Sequence, residues 1–138
     1  MAASVLCAGT VSRVSSVLQR DVKQFGKQFL FDNKEETCWN SDQGSSQWIT
    51  VEFPHNVLVS QLYIQFQGGF SSKTCILEGC QKDEELVKIA DFYPEDTNAL
   101  QKFSFAEQSV HKIRITFTNG TDFFGRIIVY HLDVLGQK

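Results

Sequence analysis

The sequence predicts an all-β protein, a sandwich of about eight short antiparallel strands. Apolar and polar residues alternate along several segments, which is the period of a strand with one buried face. Turn signals separate these segments, and almost no stretch shows the 3.6-residue period of a helix. The length of 138 residues fits one domain.

Four segments show the alternation most clearly, and in each of them apolar side chains two residues apart share a face. These faces are Ile49, Val51 and Phe53; Leu58, Leu62, Ile64 and Phe66; Ile113, Ile115 and Phe117; and Ile128, Tyr130, Leu132 and Val134. Weaker strands are predicted over residues 11–18, 74–80, 85–92 and 100–105. Turns are predicted at 54–56, 68–69, 82–83, 94–96 and 119–120, and one helical turn near 26–31.

The charge pattern argues against two classes of partner. The net charge is −3, and no run of basic residues is present. Affinity for phosphate backbones and for anionic lipid comes largely from clustered Lys and Arg, so we expect no direct binding to nucleic acid or membranes. The N-terminus has no secretory pattern and no apolar run nears the ~20 residues of a membrane span. We therefore expect a protein of the nucleus and cytoplasm that is not secreted.

The cysteines predict neither a disulfide framework nor a zinc site. Cys75 and Cys80 lie five residues apart on a predicted strand, which separates them by roughly 17 Å and places them on opposite faces. A disulfide needs Cα atoms within about 7 Å, so this pair cannot bridge. The three histidines are scattered, whereas zinc needs clustered ligands. We expect all four cysteines to be thiols in a reducing compartment.

One segment carries a family resemblance. Residues 29–53 read FLFDNKEETCWNSDQGSSQWITVEF, and the chain ends with a strand reading HLDVLG. Their order resembles the discoidin, or coagulation-factor C-type, domain among the galactose-binding-domain-like jelly rolls. The matching positions are Asp32, Thr37, Trp39, Trp48, Val51 and Glu52. The resemblance covers essentially the whole chain and implies a single jelly-roll domain over residues 1–138.

The resemblance also raises a calcium site, at Asp32 and Thr37. Many members of the family bind calcium through this loop and a glutamate of the last strand, but His131 stands at that glutamate's place. Calcium prefers six to eight oxygen ligands, and the acidic loop offers several. The alternative is a solvated turn in which Asp32 caps nearby amides, and the sequence favours it. We expect no cofactor.

A second resemblance is more specific. The segments RVSSVL, QFGKQFLFD, ETCWNSDQG, QFQGGFSS, DFYPED and TDFFGR are similar to those of small vertebrate proteins that associate with an orphan nuclear receptor. This resemblance implies a protein-binding module that represses the receptor's transactivation by blocking its binding to DNA response elements. We expect the chain to act as a monomer with a protein partner.

Three loops are the predicted partner-binding surface, because family members bind through loops and because aromatic residues and Arg dominate interface hot spots. They are residues 24–27, 68–73 and 121–126. The predicted contact residues are Gln24, Lys27, Phe70, Lys73, Phe123, Phe124 and Arg126. The alternative is that the phenylalanines fold back into the core and that Arg126 pairs with Asp122.

A lectin-like site is the rival function. Sugars stack on aromatic rings and bond to polar side chains, and Asn40, Asp42, Phe70 and Arg126 could serve if they converge. Trp39 joins Asn40 and Asp42 as a possible ligand pocket, although a core role is favoured for this tryptophan. A third reading is a subunit of a larger intracellular complex.

Catalysis finds little support in the sequence. The GxSxG, P-loop and HExxH patterns do not occur. Neighbouring acids such as Glu35 and Glu36 lie in turns, unlike the buried pair of a glycosidase. Cys38 could be a nucleophile only with a nearby histidine. We therefore expect a non-enzymatic protein.

Overall fold

The computed structural model describes residues 3–137 and confirms the all-β prediction. Three short helical segments follow the second strand: a 3-10 turn at Leu18–Arg20, helix α1 at Val22–Phe25 and a second 3-10 turn at Lys27–Leu30. The last of these lies within the predicted helical turn. The strands are β1 (Ala3–Ser4), β2 (Val11–Val14), β3 (Trp39–Asn40), β4 (Ser46–Phe66), β5 (Ser72–Cys80), β6 (Val87–Phe92), β7 (Leu100–Gly120) and β8 (Ile128–Gln137).

The strands form an antiparallel jelly-roll sandwich organised around β4 and β7. The hydrogen-bonded order is β1-β8-β4-β7-β5-β6, with β2 added to β4 and β3 added to β8. β4 and β7 pair along nearly their whole length, from Ser46 with Thr118 to Gln65 with Leu100. This ribbon folds over near its middle, so that one half lies in each layer. β2, β5 and β6 extend the first layer, and β8 with β1 and β3 extends the second.

The predicted turn at residues 54–56 is a bend inside one strand, not the end of it. The pairing of β4 with β7 shifts register between Glu52 and Val57 and then continues. Pro54 lies in the interruption, where its missing N–H removes no ladder bond. The segments predicted as separate strands at 100–105 and 111–117 are likewise one strand. The predicted strand over 11–18 ends at Val14.

Two positions predicted on the buried faces lie elsewhere because of further register shifts. A shift after Val59 reverses the alternation, so that Val57 and Val59 are buried and Leu58 is half-exposed. A shift in the pairing of β4 with β8 has the same effect at Tyr130, which is half-exposed while Val129 is buried. A bulge adds one residue to one strand, and a one-residue change moves a side chain to the other face.

Aromatic rings join the two layers at the centre of the core. Phe66 and Phe117 come from opposite layers, and their ring centroids lie 5.8 Å apart in an edge-to-face arrangement. Trp39 packs on Phe117 at 6.2 Å and donates its indole N–H to the Ser16 carbonyl at 2.9 Å. All three rings are almost completely buried. This aromatic cluster fixes the spacing of the two layers at one pole of the sandwich, the pole where both ends of the β4–β7 ribbon lie.

No helical segment within residues 3–137 has the length and apolar character needed to cross a membrane.

We expect Phe117→Ala to lower the free energy of unfolding by about 3–5 kcal/mol, because it opens a cavity between the layers. Phe123→Ala is the matched control: its ring is 94% exposed, and the expected change is within about 0.5 kcal/mol. Urea denaturation of both variants measures the difference. Equal losses would contradict the assignment of Phe117 to the core.

Candidate functional site

Four connections meet at one end of the sandwich, which we call the loop pole: residues 41–45, 67–71, 93–99 and 121–127. Because the β4–β7 ribbon is folded over, both of its ends lie here. Backbone hydrogen bonds tie the connections together: the Gly44 N–H donates to the Phe124 carbonyl at 3.1 Å, and the Ile128 N–H to the Phe70 carbonyl at 3.0 Å. The loop pole is therefore a continuous surface.

Asp96 holds three of these connections through one carboxylate oxygen. Its Oδ1 accepts hydrogen bonds from the Gly69 N–H at 2.8 Å, the Ser71 hydroxyl at 2.8 Å and the Thr121 hydroxyl at 3.5 Å. The bond from the Gly69 amide is the largest cause that lowers the pKa of Asp96, followed by the Ser71 hydroxyl. Nearby, Asn98 accepts from the Gly68 N–H.

Arg126 lies flat at the centre of the loop pole. Its guanidinium carbon is 5.0 Å from the centroid of the Phe70 ring, and its Nη2 donates to the Asn40 amide oxygen at 3.2 Å. The predicted alternative, an ion pair with Asp122, is not formed. The Asp122 carboxylate instead accepts from the backbone N–H groups of Phe124 and Arg126, which closes the turn between them.

Phe123 and Phe124 project from that turn. Phe123 is 94% exposed and Phe124 is 57% exposed, and their ring centroids lie 5.1 Å apart, edge to face. Gly125 makes the turn possible: its φ is +78°, and a Cβ there would lie 1.9 Å from the Gly44 carbonyl oxygen. The rings are thus held outward by a backbone that no other residue fits without strain.

The structure divides the predicted partner-binding residues into two groups. Phe70, Phe123, Phe124 and Arg126 come together at the loop pole. The exposed Lys73, the second residue of β5, lies beside it. Gln24 lies in α1 and Lys27 in the 3-10 turn that follows it, and their contact with a partner stays a prediction. Their segment packs along β2, where the Lys27 Nζ donates to the Ser12 carbonyl.

The predicted ligand pocket is also only partly present. Trp39 is completely buried, so it cannot contact a ligand, and its core reading is the correct one. Asn40 is 5% exposed, and its side-chain oxygen is engaged by Arg126. Asp42 is half-buried and accepts from the Gln43 N–H at 2.9 Å. Asn40, Phe70 and Arg126 do converge, but the guanidinium covers the ring that a sugar would stack on.

The calcium hypothesis does not fit the loop that suggested it. Both Asp32 oxygens are used within the turn: Oδ1 accepts from the Lys34 N–H at 3.1 Å and Oδ2 from the Thr37 hydroxyl at 2.7 Å. The depression beside it is lined by the cationic Lys34 and by His131, together with Asn33, Glu35 and Gln65. Across residues 3–137, no cluster of three acidic, His or Cys side chains is arranged to hold a metal. The self-capped turn is the better description.

Two of the thiols, Cys38 and Cys75, lack the character of nucleophiles. Burial raises the pKa of the Cys38 thiol, and it raises that of Cys75 to about 12. A catalytic cysteine needs the opposite shift, toward the thiolate.

Sequence reasoning missed Asp96, Asn98 and Gly44 as parts of the site. A turn was predicted at 94–96, but the partners of Asp96 lie 25 and 27 residues away in sequence. Hydrogen bonds between residues so far apart in the chain leave no signal in the local sequence.

The chain belongs to the F5/8 type C domain family, whose model matches residues 11–128. Its fold is also that of the F5/8 type C domain of a Bacteroides fragilis protein, with a TM-score of 0.86 at 13% identity over 99% of this chain and 97% of that one. A family 32 carbohydrate-binding module from Clostridium perfringens NanJ, solved with galactose, aligns with a TM-score of 0.81 at 15% identity, covering 98% and 99% of the two chains. These likenesses show the fold.

Full-length relatives are more similar. The chain is 80% identical to the Nuclear receptor 2C2-associated protein of Xenopus laevis over 99% of this chain and 100% of that protein. It is 60% identical to the Homo sapiens protein of the same name, over 100% of this chain and 99% of that protein.

We expect Asp96→Asn to destabilise the protein at pH 7, because the charge that strengthens three hydrogen bonds is lost. The folded pKa lies below the ordinary 3.8, so this contribution is present above pH 3.8 and is lost as the pH falls through the folded pKa. The urea concentrations at the unfolding midpoints of the wild type and of Asp96→Asn should therefore converge at acidic pH. Glu95→Gln, an exposed neighbour, is the control. A difference that persists at pH 2 would contradict this account.

Gly125→Ala should cost more stability than Gly69→Ala, and the pair isolates the contact with Gly44. Both glycines have positive φ, +78° and +90°, but a Cβ at Gly69 meets nothing within 4 Å. The shared conformational cost is about 1–2 kcal/mol, and Gly125→Ala adds a steric clash. Chemical denaturation gives the two losses, and equal values would show that residues 121–126 are free to move.

Proposed function

We propose that the chain is a non-enzymatic protein-binding module that attaches to a nuclear receptor through the loop pole. The exposed pair Phe123 and Phe124 carries the proposal, since two phenylalanines on one turn are an unusual cost in water and a suitable anchor for an interface. The names of the relatives supply the partner class, because both are called nuclear receptor 2C2-associated proteins.

The rigidity of the turn favours binding. A flexible loop loses conformational freedom when it docks, at about 0.5–1.5 kcal/mol per ordered side chain. Here Asp122 closes the turn, Gly125 fits against Gly44, and the two rings already pack on each other. Phe70 contributes beneath Arg126 as support, not as a free anchor.

The charge of the loop pole supports a more detailed mechanism, in which binding represses transactivation by keeping the receptor from its DNA response elements. The connections of the loop pole carry four carboxylates, against two cations, Arg126 and the adjacent Lys73; the carboxylates are Asp42, Glu95, Asp96 and Asp122. An acidic surface is complementary to a basic DNA-binding surface and is repelled by DNA itself. The module would therefore occupy the surface that DNA needs.

In this proposal the whole chain, residues 1–138, acts as one domain. It acts as a monomer in the nucleus and cytoplasm. Membership of a larger intracellular complex would use the same surface with a different partner. A lectin role remains the rival, and the convergence of Asn40, Phe70 and Arg126 is the observation in its favour.

The test is the double variant Phe123→Ser/Phe124→Ser, measured by calorimetry against the purified receptor 2C2. We expect at least a tenfold loss of affinity with an unchanged melting temperature, since both rings are exposed. Val87→Ser is the matched control, because Val87 is 64% exposed at the opposite end of the sandwich. The affinity of this variant for the receptor should stay at the wild-type value.

Two results would contradict the proposal. One is unchanged receptor affinity in the double variant. The other is saturable binding of galactose, seen as NMR shifts at Asn40 and Arg126, by a protein that does not bind the receptor.

A further inference from the structure

A second surface lies on the flank of the sandwich and adjoins the loop pole, where the Ser16 hydroxyl accepts from the Asp42 N–H at 3.0 Å. The segment from residue 15 to residue 28 leaves β2, forms α1 and returns, and this path opens a groove of about 580 Å³ against the first layer. Val14 and Val17 form its floor and also touch the core. Val11, Val22 and Trp48 form its walls.

The walls of this flank groove expose apolar surface to solvent. Val11 is 50% exposed and Val22 is 56% exposed, both well beyond what a buried wall shows. Trp48 is half-buried, unlike Trp39, and the Arg114 guanidinium carbon lies 5.2 Å from its ring centroid. The part of the indole that stays accessible adds to the apolar surface of the two valines.

The groove is held open by polar contacts of its own segment. The Asp21 side chain accepts from the Gln24 N–H at 3.2 Å and begins α1. The Gln28 amide donates to the Val22 carbonyl at 2.6 Å, and Lys27 reaches back to β2 through the Ser12 carbonyl. A preformed groove loses little entropy on binding.

The charge at the groove indicates what it binds. Its two charged lining residues, Arg13 and Lys27, are both basic, and Arg114 adds a third cation beside Trp48. The chain as a whole carries −3, so this positive rim is a local feature. Two carboxylates lie nearby: Asp21 is engaged by the Gln24 N–H at the start of α1. Glu52 lies in an adjoining depression that Arg13 also lines, and it contacts His111 at 3.2 Å.

We propose that the flank groove binds an acidic segment of a protein partner, with the segment's apolar side chains on Val11, Val22 and Trp48. The carboxylates of that segment would meet Arg13, Lys27 and Arg114 at the rim. Amphipathic segments are recognised in this way, with apolar anchors in a groove and charges at its edge. This inference does not depend on the receptor.

Two 14-residue peptides test it. Both carry Leu and Phe at helical spacings of three and four, and they differ only in having Glu or Lys at the remaining positions. Tryptophan emission reports binding, and Trp48→Phe removes the reporter at the groove while Trp39 stays. We expect saturable binding of the Glu peptide that weakens between 50 and 500 mM salt, and at least tenfold weaker binding of the Lys peptide.

Variants locate the site. Val22→Ser and, separately, Val11→Ser should weaken binding of the Glu peptide at least fivefold with melting temperatures near the wild-type value. Arg13→Glu should reduce the preference for the Glu peptide over the Lys peptide. Phe123→Ser/Phe124→Ser should leave the peptide affinity unchanged. Equal binding of both peptides, or wild-type affinity in the Val22 and Arg13 variants, would overturn the proposal. A concentration-dependent dimer abolished by Val22→Ser would overturn it in favour of a second copy of this chain.

Discussion

The pairing of β4 with β7 on both sides of a bend is the constraint on which the rest of the structure depends. These two 21-residue strands pair again after the interruption at the bend, so each supplies half of both layers. Both ends of both strands then lie at one pole, and four connections are brought together there. The Phe66–Phe117 contact closes the two halves on each other at that same end. The position of the loop surface is therefore a consequence of the core.

Polar contacts convert those connections into a surface of fixed shape. Asp96 ties its own connection to two others through one ionised oxygen, and Arg126 spans Phe70 and Asn40. With the polar groups engaged below, the two phenylalanines of the 121–126 turn are left facing solvent. Phenylalanine side chains usually lie in the core of a protein. Here the backbone conformation around Gly125 holds the rings of Phe123 and Phe124 toward solvent.

Local patterns in the sequence predicted the strands well and their faces less well. Alternation reports burial as long as pairing stays in register, as it does at Ile113, Ile115 and Phe117. Bulges change the face without changing composition, which explains the errors at Leu58 and Tyr130. The turn chemistry of Pro54 was read correctly as an interruption, but a bend in a paired ribbon and a chain reversal give the same local signal.

The candidate site could be predicted in part. The two aromatic loops were found because their residue types are unusual for turns, and family resemblance indicated a loop surface. Long-range partners were not accessible: nothing near Asp96 in sequence indicates Gly69 or Thr121, and nothing near Lys27 indicates that its segment follows β2. Trp39 is the opposite case: the residue type favoured a core role and left a ligand role open, and its complete burial assigns it to the core.

The most direct measurement of the central claim is the map of backbone amide NMR shifts in the full chain as purified receptor 2C2 is added. The account predicts that the shifted amides lie in residues 67–71 and 121–127, with smaller changes in residues 41–45 and 93–99. Shifts confined to the far end, around residues 80–87 and 106–111, would show that the loop pole is not the attachment surface.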